Sequence, residues 1–214
     1  MRKILFTLVP AIGLLLPPMG QAQGTLYVSN LGLTPNTSAS IGNDAWIAQS
    51  IITGIDSSGY ILNSVQLLMD EGSGSPSGFN VSIYSFSGSD PQNNLGSLTG
   101  SDPMAGGLFT YATSGIMLSP STVYFVVLTA ATPVSQGAYD WSALAEGGSA
   151  LGINQWIIND SYYSSANGSS WTGHNRYDTF QLAIYATAVP EPATLSLAGM
   201  SLACLSCWRL RQAK

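Results

Sequence analysis

Apolar and polar residues alternate at period two over short stretches of this chain, and Gly, Pro, Asn, Asp or Ser close each stretch. Successive side chains of a strand point to opposite faces, so this alternation predicts half-buried strands. Residues 79–86 carry it most clearly, with Phe79, Val81 and Ile83 on one face and Asn80 and Ser82 on the other. Residues 60–69 predict a strong strand with Ile61, Val65, Leu67 and Met69 sharing a face. Residues 122–129 are apolar on both faces, Val123, Phe125 and Val127 against Tyr124, Val126 and Leu128, as a central buried strand requires. In residues 45–52, Trp46 and Ala48 oppose Ile47 and Gln49. Weaker strands are expected at 26–29, 95–99, 108–118 (split near Gly115), 139–144, 153–158 and 180–186, the last with Phe180, Leu182 and Ile184 inward. Residues 31–39, around Pro35, and 70–78 read as loops, and 54–59 and 88–91 as turns. No stretch before residue 189 keeps a helical period over three turns. About nine short strands punctuated by turn residues predict an all-β fold, a two-sheet antiparallel β-sandwich of jelly-roll-like form.

Both ends break this pattern. Arg2 and Lys3 precede an apolar run over 4–16, Pro17 and Pro18 stop it, and Gly20-Gln21-Ala22 supplies small residues. That order predicts a secretory signal peptide over 1–22, cut after Ala22. At the other end Pro190, Glu191 and Pro192 precede sixteen residues without charge, 193–208, and then a basic stop of Arg209, Arg211 and Lys214. Prolines two apart end any strand or helix. The uncharged run predicts a single transmembrane helix about 24 Å long. A hydrocarbon core is about 30 Å thick, so the span is short and suits transient anchoring in the inner membrane. The cations fix its orientation. The expected organisation is thus a signal peptide 1–22, a β-sandwich domain 23–188 and a C-terminal segment 189–214.

Without the two ends the composition changes sharply. Arg176 is the one cation in residues 23–189, against ten carboxylates, a formal charge of −9. Such a surface has nothing with which to neutralise phosphates, so nucleic acid is excluded as a partner. Anionic lipids and polymers are repelled as well, which leaves neutral sugars, cations and proteins. Both cysteines, Cys204 and Cys207, lie in the apolar tail, so the body has no disulfide.

Little in the body points to catalysis, and no catalytic set is expected. His174 is its one histidine, and no Gly-x-Ser-x-Gly elbow is present, so His174 reads as a surface-loop residue. One histidine and no body cysteine make no zinc or copper site. No cofactor is expected; a structural calcium would draw on the oxygens of Asp70, Glu71, Asp44 and Asp160, which otherwise read as solvated turn acids. A polysaccharide hydrolase is the alternative enzyme reading and would need a carboxylate pair among Asp140, Glu146, Asp160 and Asp178. The densest constellation is aromatic. Trp156, Tyr162, Tyr163, Trp171 and Tyr177 crowd a region rich in Asn, Ser and Gly. Aromatic faces stack on sugar C–H surfaces while short polar side chains bond hydroxyls, so this set is a candidate glycan-binding site. The competing reading packs Trp156 in the core and lets the tyrosines cap loops.

The order Pro190-Glu191-Pro192, apolar run, basic end resembles the PEP-CTERM sorting signal of bacterial exported proteins, over about an eighth of the chain. The resemblance implies recognition by an exosortase-type processing protease, followed by delivery to the cell surface or an exopolysaccharide matrix. The path through Ala48-Gln49-Ser50, Leu62-Asn63-Ser64-Val65, 79–84, Leu95-Gly96, Ser114-Gly115-Ile116, 122–128 and 180–186 resembles the choice-of-anchor domains of bacterial surface proteins, type R in particular. That resemblance implies a β-sandwich attached to a sorting signal and assigns no catalytic residue.

Overall fold

The structure is a computed structural model that describes residues 24–88, 90–175 and 178–190. The described residues are all-β: two packed antiparallel sheets, with one 3₁₀ turn at Ile153–Gln155. The first sheet holds β1 (Thr25–Ser29), β2 (Thr37–Ile41), β4 (Tyr60–Gly74), β7 (Gly107–Leu118), β9 (Gly137–Leu144), β13 (Thr179–Phe180) and β14 (Leu182–Ala188). The second holds β3 (Trp46–Ile52), β5 (Asn80–Ser87), β6 (Asp90–Leu98), β8 (Val123–Thr129), β10 (Ala150–Leu151), β11 (Ile157–Ser165) and β12 (Thr172–Asn175). Strand β14 lies inside the first sheet, between β1 and β4. The second sheet runs β10-β11-β3-β8-β5-β6, with β12 also on β11.

The alternation read from the sequence places the core. Val81 and Ile83 point between the sheets, and Phe79 packs beside them. Strand β8 is central, flanked by β3 and β5. Its Tyr124, Val126 and Leu128 join the inter-sheet core, while Phe125 and Val127 are buried on the sheet's other face. Phe180, Leu182 and Ile184 are fully buried, as expected.

Three local departures have physical causes. Asn63 is skipped in the register of β4 with both β7 and β14, so it is a bulge. A bulge inserts one residue and reverses the facing after it. Tyr60 and Leu62 therefore point inward before it and Val65, Leu67 and Met69 after it. Ile61 pairs with Met117 and does not share the face of Val65. The matching gap in β7 falls between Ala112 and Ile116, where Gly115 takes φ of 117°. Residues 153–155 form a 3₁₀ turn rather than a strand, because Asn154 and Gln155 adopt positive φ (49° and 65°). Strand pairing starts only at Ile157 and runs on to Ser165. Last, Gln181 interrupts the closing strand and divides β13 from β14.

Segments read as loops also pair. Residues 37–41 form β2 against β9, and 70–74 extend β4 along β9. The expected signal helix and transmembrane helix, with Glu191, Pro192, Arg209, Arg211 and Lys214, lie outside the described residues. Among the described residues no helix is long and apolar enough to cross a membrane.

Tyrosines in the core give the fold a predictable alkaline limit. Tyr139 donates its hydroxyl to Asp102 Oδ2 at 2.5 Å, and Tyr111 donates to the Ser101 carbonyl at 3.0 Å. Burial holds both phenols well above their ordinary value, and the Asp102 carboxylate adds to it. Burial also raises Tyr27, Tyr84 and Tyr163. An unfolded tyrosine ionises near pH 10, before these folded ones, so the unfolded chain releases protons first. Their contribution is complete below about pH 10 and is lost as pH rises toward the folded values. Urea midpoints should hold steady from neutrality to about pH 9 and fall steeply by about pH 11.

Candidate functional site

The two ends of the described chain meet at one pole of the sandwich. Thr25 pairs with Ala186, and Val189 N–H donates to the Gly59 carbonyl at 3.0 Å. Pro190, first residue of the Pro-Glu-Pro tripeptide, is exposed just beyond. The Gly59 turn is closed by Tyr60, whose hydroxyl accepts from Asp56 N–H at 3.1 Å. Ile55 N–H donates to the Asn154 carbonyl, and Ser121 N–H to the Gly54 carbonyl. Strand β3 leaves this pole at Ile52 and reaches the opposite one at Trp46, about 20 Å away at ~3.3 Å per residue.

The structure divides the sequence-predicted aromatic set between two faces. Trp156 is 0 % exposed at the chain-end pole, packed between Tyr27 (5.2 Å between ring centres) and Tyr60 (4.9 Å). Tyr162 also faces inward, 5.1 Å from Phe180 and stacked on His174 at 4.5 Å. His174 is a half-buried residue of β12 rather than a loop residue, and its Nε2 lies 2.9 Å from Ser164 Oγ. Tyr163 and Trp171 turn to the outer face of the second sheet. Tyr177 lies outside the described residues.

On that outer face Tyr163 and Trp171 join residues distant in sequence. Trp171 meets Trp46 edge to face at 6.4 Å, Tyr163 meets Phe125 at 5.1 Å, and Phe86 meets Phe125 at 6.1 Å. Tyr84, opposite Phe125 in the register, completes the row. Ala48 lies between Tyr163 and Val127 in the register and keeps the middle of the face low. The Trp46 indole donates to the Asn43 carbonyl at 3.0 Å. Gly168, at φ of 73°, lies under that indole, and a Cβ there would stand 2.5 Å from a ring carbon. At the Trp46 end of β3 opens a pocket of about 400 Å³ lined by Asp44, Trp46, Ile47, Ser164, Ser165, Ser170 and Thr172; Ile47 belongs to the inter-sheet core, so the pocket is not part of the outer aromatic face. It lies at the pole opposite Val189. The sequence placed Trp46 and Phe125 correctly on their strands, but nothing local links them to Trp171; only the pairing β11-β3-β8 does.

Apart from Asp70 and Asp140, the carboxylates are spread out. Asp140 sits across from Asp70 on neighbouring strands and accepts from Ser40 Oγ at 2.6 Å, while Asp70 accepts from Ser142 Oγ at 2.8 Å. Glu146 lies in the turn after β9, Asp160 in the irregular part of β11 and Asp178 just before β13. Asp44 accepts from Val134 N–H at 2.9 Å, and Glu71 follows Asp70 along β4. Among the described residues no three His, Cys, Asp or Glu side chains gather as a metal site.

Residues 188–212 match the PEP-CTERM protein-sorting motif. No curated protein and no solved structure matches the chain. The match starts where β14 ends, so an antiparallel two-sheet domain passes directly into a sorting signal. This defines the class: an exported protein whose C-terminal segment directs membrane-associated sorting by an exosortase.

Proposed function

We propose that the protein is a non-enzymatic component of the bacterial surface or extracellular matrix, associated with exopolysaccharide. It leaves the cytoplasm by its signal peptide and halts briefly in the inner membrane through 193–208. An exosortase-type processing protease then recognises Pro190-Glu191-Pro192 and frees it for the cell surface or the medium. The sorting motif over 188–212 carries this reading. The body's resemblance to choice-of-anchor R domains supports it, since their shared trait is attachment to sorting signals. The absence of any need for cofactor or metal belongs to the same proposal.

Deleting Pro190 to Lys214 tests it. The shortened protein should still be exported but should no longer collect in the membrane and surface fractions. Unchanged surface retention would overturn the reading. The intact mass of the mature full-length protein should match a chain shortened at both ends; a mass that retains 193–214 in the surface fraction would count equally against it.

A further inference from the structure

The outer face of the second sheet is built differently from the outer face of an ordinary sandwich. Trp46, Trp171, Tyr163, Phe125, Tyr84 and Phe86 form a row across four neighbouring strands and the 166–171 loop. Four strands at ~4.8 Å spacing give it a width of about 14 Å. Phe86 is 40 % exposed, and Trp46, Trp171, Tyr163 and Tyr84 are partly open to solvent. Short polar groups border the rings: Ser82 and Ser97 share a hydrogen bond at 2.9 Å, and Asn80 donates to Ser82 at 2.9 Å. Asp44 lines the pocket at one end. Asp90 stands at the other, close enough for its charge to help raise the Tyr163 phenol after burial does so.

Charge decides what this face can hold. The carboxylates at its two ends repel polyanions and anionic lipid, and the body carries −9. A second copy would bring the same two carboxylates and the same net charge onto them. The row also leads to the pole opposite the chain ends, away from the membrane that holds the C-terminal segment. A neutral polysaccharide satisfies every constraint. Its C–H faces stack on the rings, and its hydroxyls bond Asn80, the exposed Ser97 and the two carboxylates at no Coulombic cost. From this arrangement we infer that the outer face of the second sheet is a binding platform for a neutral polysaccharide. The inference deepens the matrix-component reading and rests on it for its biology, but it replaces the 156–177 stretch as the site. Tyr163 and Trp171 remain in it; Trp156 and Tyr162 serve the core.

The experiment uses the full chain, purified in a detergent without a sugar headgroup, in calorimetric titrations. The probes are cellohexaose, laminarihexaose and mannohexaose, with oligogalacturonate as the charged counterpart. At least one neutral hexaose should bind saturably, and oligogalacturonate should bind at least tenfold more weakly. Trp171→Ala and Phe86→Ser should each weaken the neutral ligand about tenfold or more, as truncation of a central aromatic contact does. Phe86 is exposed enough that its variant keeps the fold, which circular dichroism checks, so a destabilised Trp171 variant does not spoil the test. Silence of all three neutral probes, unchanged affinity in the Phe86 variant, or equal binding of oligogalacturonate would overturn the inference. So would self-association of the chain that Phe86→Ser abolishes. These outcomes are read on the purified chain, whereas the sorting reading is tested by location and mass in the cell, so either can fail alone.

Discussion

Gln49→Leu is expected to destabilise the domain by about 3 kcal/mol or more, because it strands two buried backbone groups at once. Gln49 is 0 % exposed on β3 and ties the two sheets together. Its Oε1 accepts from Phe180 N–H of the first sheet at 2.9 Å. Its Nε2 donates to the Asn159 carbonyl at 2.7 Å, inside the irregular part of β11. Leucine has similar bulk but supplies neither partner. Each buried group left unsatisfied costs about 1–3 kcal/mol. Ser50→Ala is the measured contrast. It removes one bond, Ser50 Oγ to the Ser161 carbonyl at 2.9 Å, and should cost only about 1 kcal/mol. Urea titrations with equal slopes give both values. A Gln49→Leu midpoint equal to wild type would show that the sheets need no polar tie.

Trp141→Ala should cost about 3–5 kcal/mol, the range for emptying a large aromatic site in a core. Trp141 is 0 % exposed, packs on Phe180 at 4.7 Å and donates its indole N–H to the Gln181 carbonyl at 3.0 Å. Trp156→Ala should cost as much by volume, since Trp156 is also 0 % exposed. The two tryptophans part company on truncation to phenylalanine. The Trp156 indole N–H is buried with no hydrogen-bond partner among the described residues. Trp156→Phe therefore removes an unsatisfied donor, while Trp141→Phe removes a satisfied one. Because the Gln181 carbonyl keeps the Leu68 N–H as a donor, Trp141→Phe should be the worse variant by about 1 kcal/mol. Equal losses would mean that the Trp141 bond contributes nothing net.

These residues also show where sequence reading succeeds and where it stops. Alternation in 79–86 and the double apolar face of 122–129 are local facts, and the core follows from them. The tail is legible for a similar reason, since tripeptide, apolar run and cations are contiguous. Strand β12, Thr-Gly-His-Asn, has no apolar pattern and exists because β11 offers it an edge. The bulge at Asn63 is set by two partner strands and leaves no trace in the local pattern, so Ile61 fell on the wrong face. Gln49, Asn30 and Gln181 look like surface residues in sequence. They are buried because Asn30 bonds the Phe180 carbonyl and Leu182 N–H, while Gln181 reaches the carbonyls of Asn30 and Leu33. The aromatic row draws on residues more than a hundred positions apart, which only the strand order unites.

The interior place of β14 in its sheet bears on when the domain acquires its shape. The last strand of the body is wedged between the first strand and β4, and both form ladders with it. A sheet missing an inner strand leaves two open edges and no closed core, so the chain cannot finish folding while residues 182–188 are still inside the secretion channel. Completion waits until the body has been exported in full. On the transient anchoring proposed above, the sandwich closes while residues 193–208 still hold it at the membrane.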